Sequence, residues 1–416
     1  MTADRIAPLD RALLSYTRQP VVTTAVFDLK GPAPTLDAVR DRVRSRLPGL
    51  PVLCRTAGPR STRWGHAEPD LELHVRHMEA APGGLDDATR TLIDRPLPSP
   101  RAPLWDLWLQ TAPAADRHRL CLRFHHGLTD GVGHVNLAAA LLCDGPVAPF
   151  PRHRPGRPTV AGIARLLQET TRRPNKDWPE LSAPTGGPST WSYADVDMSQ
   201  LRGAARRFGG TVNDVYLTAL AGAFRAWRRL TDSAAPAAAP PDLPVCISMS
   251  VRRAGDEYIG GNYVVAADID LPVSTPDPLE AARRVTEANR RLEDIRYRNS
   301  FPSPTSLPVP TALLRAALTA GSERSLATAT YLPFPGVWTC FGTRVAATAA
   351  LIVLTCNTRC FTTLHRINGN ARFTAIHDSS LPHAERLPSL WLDALAELAD
   401  AGPGPRPGRH AALSTP

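Results

Sequence analysis

Residues 120–131 read LCLRFHHGLTDG, and their adjacent imidazoles, His125 and His126, are the side chains best suited to moving a proton at neutral pH. A neutral imidazole, with an ordinary pKa near ~6.5, accepts a proton from a hydroxyl or amine as that group attacks a carbonyl. Leu120, Leu122 and Phe124 alternate with Cys121, Arg123 and His125, which predicts a strand with one apolar face running directly into the histidine pair. Past the end of a strand the two rings can diverge in role, one taking the proton and the other supporting the loop. Asp130 and Gly131 open the helical stretch VGHVNLAAALL, in which Val135, Ala138, Ala139 and Leu142 face a core. Asp130 reads as the cap of that helix, fixing the loop through backbone amides or an arginine rather than touching substrate. A loop held between two rigid elements suits a catalytic base. Two satisfied histidines in an ordinary loop are the alternative for the pair taken alone, and His134, on the helix, reads as an exposed or satisfied histidine.

A second candidate lies at Thr211-Val212-Asn213-Asp214, where Thr211 and Asp214 form a capping pair ahead of Val215, Ala219, Ala223, Trp227 and Leu230 on one helix face. Asn213 falls in a first turn rich in free amides. It either orients an acyl or acceptor oxygen or bonds locally. Around these candidates strands and helices intermix. A strand over Val21–Leu29 precedes a helix with Leu36, Val39, Val43 and Leu47, and Leu71, Leu73 and Val75 alternate as a half-buried strand. FTTLHRI and ARFTAIH flank Asn368-Gly369 as a hairpin, and Leu387, Leu390, Trp391, Leu395 and Leu398 share a face of a closing helix. Trp105 reads as core. The class is α+β.

At 416 residues the chain exceeds the ~250–300 that one core organises, and 43% apolar against 21% charged residues excludes global disorder. Pro, Gly and Arg crowd positions 145–158 and 173–190, which divides the chain into a lobe at 1–172, a crossover linker at 173–190, a second lobe at 191–401 and a flexible tail at 402–416. Proline-rich stretches at 231–244 and 299–310 read as surface loops within the second lobe. The longest near-apolar run, Val345 to Leu354 with Thr348 its one polar residue, is half the ~20 residues a spanning helix needs and reads as a buried strand. No export signal opens the sequence, so a cytoplasmic location is expected.

Seven cysteines, an odd number, form no disulfide framework; Cys356 and Cys360 near His365 lack a second ligand pair, and no metal is expected. A net charge of +9 favours anionic partners: phosphates of a carrier molecule, an acidic carrier protein, or peripheral contact with an anionic membrane or lipid droplet. Nucleic acid is not expected, because the arginine pairs, Arg252-Arg253 among them, are scattered without interleaved aromatics and read as solvated helix faces. There is no GxSxG, GxxxxGK[ST], HExxH or GxGxxG.

His125-His126-Gly127-Leu128-Thr129-Asp130-Gly131 matches the HHxxxDG motif of the superfamily that includes chloramphenicol acetyltransferase and peptide condensation domains. Further segments resemble, in the same order, the bacterial wax ester synthase/diacylglycerol acyltransferase family: Ala7-Pro8-Leu9-Asp10, Arg46 to Pro51, Pro103-Leu104-Trp105-Asp106, Gly210 to Val215, Leu243–Arg253 and Gly261-Asn262. Thr330 to Gly336 departs from that family's SNVPGP-like run, and Thr185 to Pro188 from its NGPxG-like turn. The resemblance implies two chloramphenicol-acetyltransferase-like lobes, two-layer α/β sandwiches forming a pseudo-dimer with an inter-lobe tunnel. It implies His126 as general base, Asp130 as structural aspartate, His125 and Gly131 in support, and direct transfer without a covalent acyl-enzyme.

The resemblance implies no cofactor beyond an acyl thioester cosubstrate, acyl-CoA or an acyl carrier protein, and an alcohol acceptor. Three readings follow: a lipid O-acyltransferase using a long-chain alcohol or diacylglycerol, a specialised-metabolism acyltransferase using a polar natural product, and a non-catalytic scaffold.

Overall fold

The computed structural model describes residues 5–16, 21–81, 84–93, 95–99, 101–112, 116–148, 178–182, 185–231, 240–252, 255–293, 311–322, 324–354 and 357–401. Positions 173–177 and 183–184 of the expected linker, the tail from 402, the proline-rich loops at 232–239 and 299–310, Cys356 and Arg253 lie outside the described residues.

The first half contains α1 (Pro8–Leu14), β1 (Val22–Lys30), α2 (Leu36–Arg46), β2 (Arg55–Thr56), β3 (Gly65–His66), α3 (Leu71–His74), β4 (Val75–Glu79), α4 (Gly84–Ile93), β5 (Trp105–Thr111), β6 (Arg117–His125) and α5 (Gly131–Leu142). The second contains β7 (Ser189–Asp197), α6 (Met198–Phe208), α7 (Val212–Thr231), β8 (Leu243–Ser250), β9 (Val264–Leu271), α8 (Pro278–Glu293), α9 (Thr311–Ser322), β10 (Ala327–Pro333), β11 (Thr339–Cys340), β12 (Thr343–Ile352), β13 (Cys360–Ile367), β14 (Asn370–Asp378) and α10 (Leu387–Asp400).

Two six-stranded sheets carry the lobes, in the orders β11-β12-β1-β6-β5-β4 and β7-β14-β13-β10-β8-β9. Period-two burial explains the layering. Phe27, Leu120, Leu122 and Phe124 face Val39 and Val43 of α2 and Val135 and Leu141 of α5, whereas Val26 and Cys121 point the other way into a cluster with Trp108, Trp191 and Ile376. In the second lobe Phe373 stacks on Trp391 of α10 at 4.9 Å between ring centroids, and Tyr216 and Trp227 of α7 complete that core. The lobes are also joined by buried charge: Asp28 on β1 accepts from Arg119 and from Arg372 of β14, each at 2.6 Å, and Arg372 binds Asp195 of β7.

Three expectations change. The span 191–401 is not one contiguous lobe, because β11 and β12 cross over and pair with β1 in the first sheet, from Thr23–Ile352 to Leu29–Val345. Leu71 and Leu73 are not in a strand: Asp70 accepts from the Glu72 amide at 2.9 Å and caps the short helix α3, and pairing with β5 starts only at Val75. Leu230 is 41% exposed, since the buried stripe of α7 ends at Trp227. The hairpin stands as expected: β13 and β14 pair in register around Asn368 (φ 49°) and Gly369 (φ 93°), the positive angles of a tight two-residue turn.

Candidate active site

Strand β6 brings the histidine pair to the point where α1 crosses the turn. The His126 amide donates to the Val21 carbonyl at 2.6 Å and the Leu128 amide to the His125 carbonyl at 2.8 Å. A Cβ at Gly127 would lie 2.8 Å from Leu14 Cγ and 3.2 Å from the Asp10 carbonyl oxygen, so the close approach of α1 requires glycine. His125 is buried and its Nδ1 accepts from the Gly127 amide at 3.0 Å. Burial, then the neighbouring His126, pushes its pKa down to about 4. His134 is a satisfied histidine: Nε2 sits 3.2 Å from the Leu122 carbonyl and Nδ1 3.3 Å from Thr23 Oγ1, and burial lowers its pKa to about 3.

His126 differs from both. It is half-buried, its carbonyl accepts from Asn262 Nδ2 at 2.7 Å, and its Nδ1 is buried without a hydrogen bond. Burial pulls the ring pKa below its ordinary value; its own carbonyl, Asp130 and the Asn262 side chain pull the other way. Its neutral form is therefore the resting one.

Asp130 caps α5 as expected, accepting from the Gly133 amide at 2.8 Å. It also accepts from the Tyr263 amide at 2.8 Å and from Arg252 Nε at 2.9 and 3.0 Å. Arg252 is not on a solvated face. It is 1% exposed, and its remaining donors reach the carbonyls of Asp256, Ile259 and Gly261 and Thr129 Oγ1, between 2.7 and 3.1 Å. A buried guanidinium persists only when paired and fully bonded, and here it draws residues 256–261 of the second lobe onto the histidine loop. The Gly261 amide adds a bond to the Leu128 carbonyl at 2.6 Å.

Asn213 reaches the same region. Thr211 and Asp214 cap α7 reciprocally, with the Asp214 amide 3.1 Å from Thr211 Oγ1 and the Thr211 amide 2.7 Å from Asp214 Oδ2. Asn213 is thereby presented at the helix start. It lines a cavity of about 520 Å³ with Asp130, Gly131, Ser248, Ser250 and Tyr331. The structure thus gathers Asp130, Gly131 and Asn213 on one cavity between the lobes. His125 and His126 are not among its lining residues; His126 keeps accessible surface of its own on the loop that leads to Asp130.

Arg252 and Asn262 escaped the reading of side-chain chemistry, as did the hydroxyls of Ser248 and Ser250. Their signal was present, since Ser248 and Ser250 alternate with Ile247 and Met249 on β8. As for metals, Cys360 and His365 are separately buried on β13. Among the described residues, Cys54, His66 and Glu68 place one potential ligand atom each within 4.8 Å of one another.

Two packed sheets, a strand exchanged between lobes and HHxxxDG at the seam define the chloramphenicol-acetyltransferase-like pseudo-dimer class. Solved structures of that class superpose over nearly the whole chain. The wax ester synthase/diacylglycerol acyltransferase from Marinobacter aquaeolei VT8 matches with a TM-score of 0.66 at 19% identity, covering 95% of this chain and 98% of that one. The first condensation domain of the CDA synthetase matches with a TM-score of 0.60 at 17% identity, covering 94% of each. Residues 8–178 match the model of the wax ester synthase/diacylglycerol acyltransferase catalytic domain. A Mycobacterium tuberculosis protein named as an inferred diacylglycerol O-acyltransferase is 28% identical over 256 residues, 51% of this chain and 53% of that protein. The chain thus spans about half the length of this curated relative.

Proposed function

We propose that the protein is an O-acyltransferase that moves an acyl group from a thioester, acyl-CoA in the simplest case, to an alcohol. The observation that carries this reading is the inequality of the three histidines: His125 and His134 are buried and spent on local bonds, while His126 is only half-buried, on a loop locked by Asp130 and Arg252. His126 Nε2 takes the hydroxyl proton as the acceptor oxygen attacks the thioester carbonyl. Collapse of the tetrahedral intermediate breaks the carbon–sulfur bond, and the leaving thiolate recovers the proton from the imidazolium, giving ester and free thiol. Alignment of donor and acceptor beside His126 supplies much of the acceleration, and no acyl-enzyme is needed. Asp130 and Gly131 hold the loop, and Asn213 orients an oxygen of one substrate.

A long-chain alcohol or diacylglycerol is the acceptor that the family relationship supports. A second reading, a polar acceptor with acyl-CoA or an acyl carrier protein as donor, is favoured by the cavity wall, where Thr211, Ser248, Ser250, Thr330 and Tyr331 set five hydroxyls beside Asn213. Free-thiol release from acyl-CoA, measured against panels of lipid and polar alcohols, tests both. His126→Ala abolishes acceptor-dependent release on this reading, and turnover at the wild-type rate refutes the assignment. Among the described residues no helix is long and apolar enough to cross a membrane, and peripheral contact through the basic surface is a proposal that vesicle flotation tests.

A further inference from the structure

Asp10 and Asn262 lie 252 positions apart, one in the first turns of the chain and one in the second lobe, and both touch the histidine loop. The Asn262 amide donates to Asp10 Oδ1 at 2.9 Å, and Asn262 Nδ2 donates to the same oxygen at 2.8 Å and to the His126 carbonyl at 2.7 Å. Both Nδ2 protons are therefore used, and because the His126 backbone carbonyl can only accept, it fixes which end of the side-chain amide is nitrogen. The other end, Asn262 Oδ1, is buried with no partner, and so is Nδ1 of His126, the residue whose carbonyl the amide holds. Asn262 Oδ1 can only accept and His126 Nδ1 can donate, so the two orphaned atoms are a pair waiting for a small closure, because a buried polar atom left unbonded is costly. Space enforces the arrangement: a Cβ at Gly261 would lie 3.0 Å from Asp10 Oδ2, and one at Gly127 would lie 3.2 Å from the Asp10 carbonyl.

We propose that Asn262, oriented by Asp10, is the positioning residue of His126: its Oδ1, with the residue's own carbonyl, holds the proton on Nδ1 and so keeps the lone pair on Nε2. The pair does not touch substrate. It selects the tautomer that can act as a base and steadies the imidazolium formed when Nε2 is protonated. The electrostatics agree, since the Asn262 side chain and the His126 carbonyl both favour the protonated ring. Asp10 is fully buried, and that burial, opposed mainly by the Asn262 bonds, raises its pKa to about 7, with Asp130 and Arg252 the other charged groups that act on it.

This inference rests on the reading of His126 as the base, so its decisive measurement needs no substrate. The nitrogen-15 chemical shifts of His126 in the full chain report the tautomer directly. The wild type shows a protonated Nδ1 and a bare Nε2, while Asn262→Ala shows a mixture, and Asp10→Asn shifts the same way but less, because its amide can donate and lets Asn262 turn over. In thiol-release assays Asn262→Ala lowers kcat about ten- to a hundredfold with KM little changed, and its acid limb moves to lower pH. A merely structural pair lowers the melting temperature and leaves the tautomer and acid limb in place, and that result overturns the proposal. If Asn262→Ala does not fold, Asp10→Asn, which removes a buried charge and keeps the shape, decides alone. A tautomer shift without acyl transfer from any thioester upholds the positioning role and sinks the enzymatic reading; transfer with unmoved tautomers does the reverse.

Discussion

The Asp130–Arg252 pair gives a quantitative test of how the two lobes hold the histidine loop. In Arg252→Met, Asp130 keeps the amides of Gly133 and Tyr263 but loses its buried counter-charge, and in Asp130→Asn the guanidinium loses its carboxylate. Removing one partner of a buried pair costs about 3–5 kcal/mol. Simple addition would therefore cost the double variant about 6–10 kcal/mol, comparable to the whole stability of a typical domain at about 5–15 kcal/mol. The structure predicts otherwise. With both charges gone, what remains is the loss of the Arg252 bonds to Thr129, Asp256, Ile259 and Gly261, near ~1 kcal/mol each. The double variant is then more stable than the sum of the singles by about 2–3 kcal/mol or more. Urea unfolding at neutral pH measures the cycle, and additivity within ~0.5 kcal/mol would falsify the claim that the two charges compensate each other. Thiol release should fall in all three variants, because each loosens the loop that carries His126.

Gly133→Ala reverses an ordinary rule. Alanine stabilises a helix interior by about 0.5–1 kcal/mol over glycine. Here its Cβ would sit 2.5 Å from Arg252 Nη2 and press on Thr129 Oγ1, so a loss of about 1–3 kcal/mol and slower turnover are expected, and a gain in melting temperature would contradict the packing. The pH dependence of His125 has a definite sign. Its folded pKa of about 4 lies below the unfolded ~6.5, so the unfolded chain binds more protons between those values and stability falls as pH falls. Relative to His125→Gln, the wild type should lose about 3 kcal/mol from pH 7 to 4, which denaturant melts at several pH values can check; Asp10 contributes with the opposite sign in both proteins. Asn213→Ala, on the cavity wall, should impair kcat/KM about tenfold or more while leaving stability nearly unchanged, and an unaltered kcat/KM would make Asn213 a local helix-start residue only.

What the sequence determined by itself is local. Alternation in LCLRFHH settled β6, Asp130 and the Thr211–Asp214 pair announced their helix starts, and Asn368-Gly369 left a two-residue turn little freedom. HHxxxDG added the fold class, because the same order of segments runs through nearly the whole chain. Partners separated by a hundred residues or more were decided only by the tertiary structure. Arg252 looked like one of several surface arginines, and nothing within its own segment shows that its counter-ion is 122 positions away. Asp10 and Asn262 were parts of recognisable segments, yet their shared hydrogen bond forms only once α1 and the second lobe close over one turn. Leu71 and Leu73 show the converse, a strand-like alternation overruled by one capping aspartate. Periodicity fixes which face of an element is apolar, whereas the pairing of buried charges depends on which faces meet, and that is a property of the packed chain.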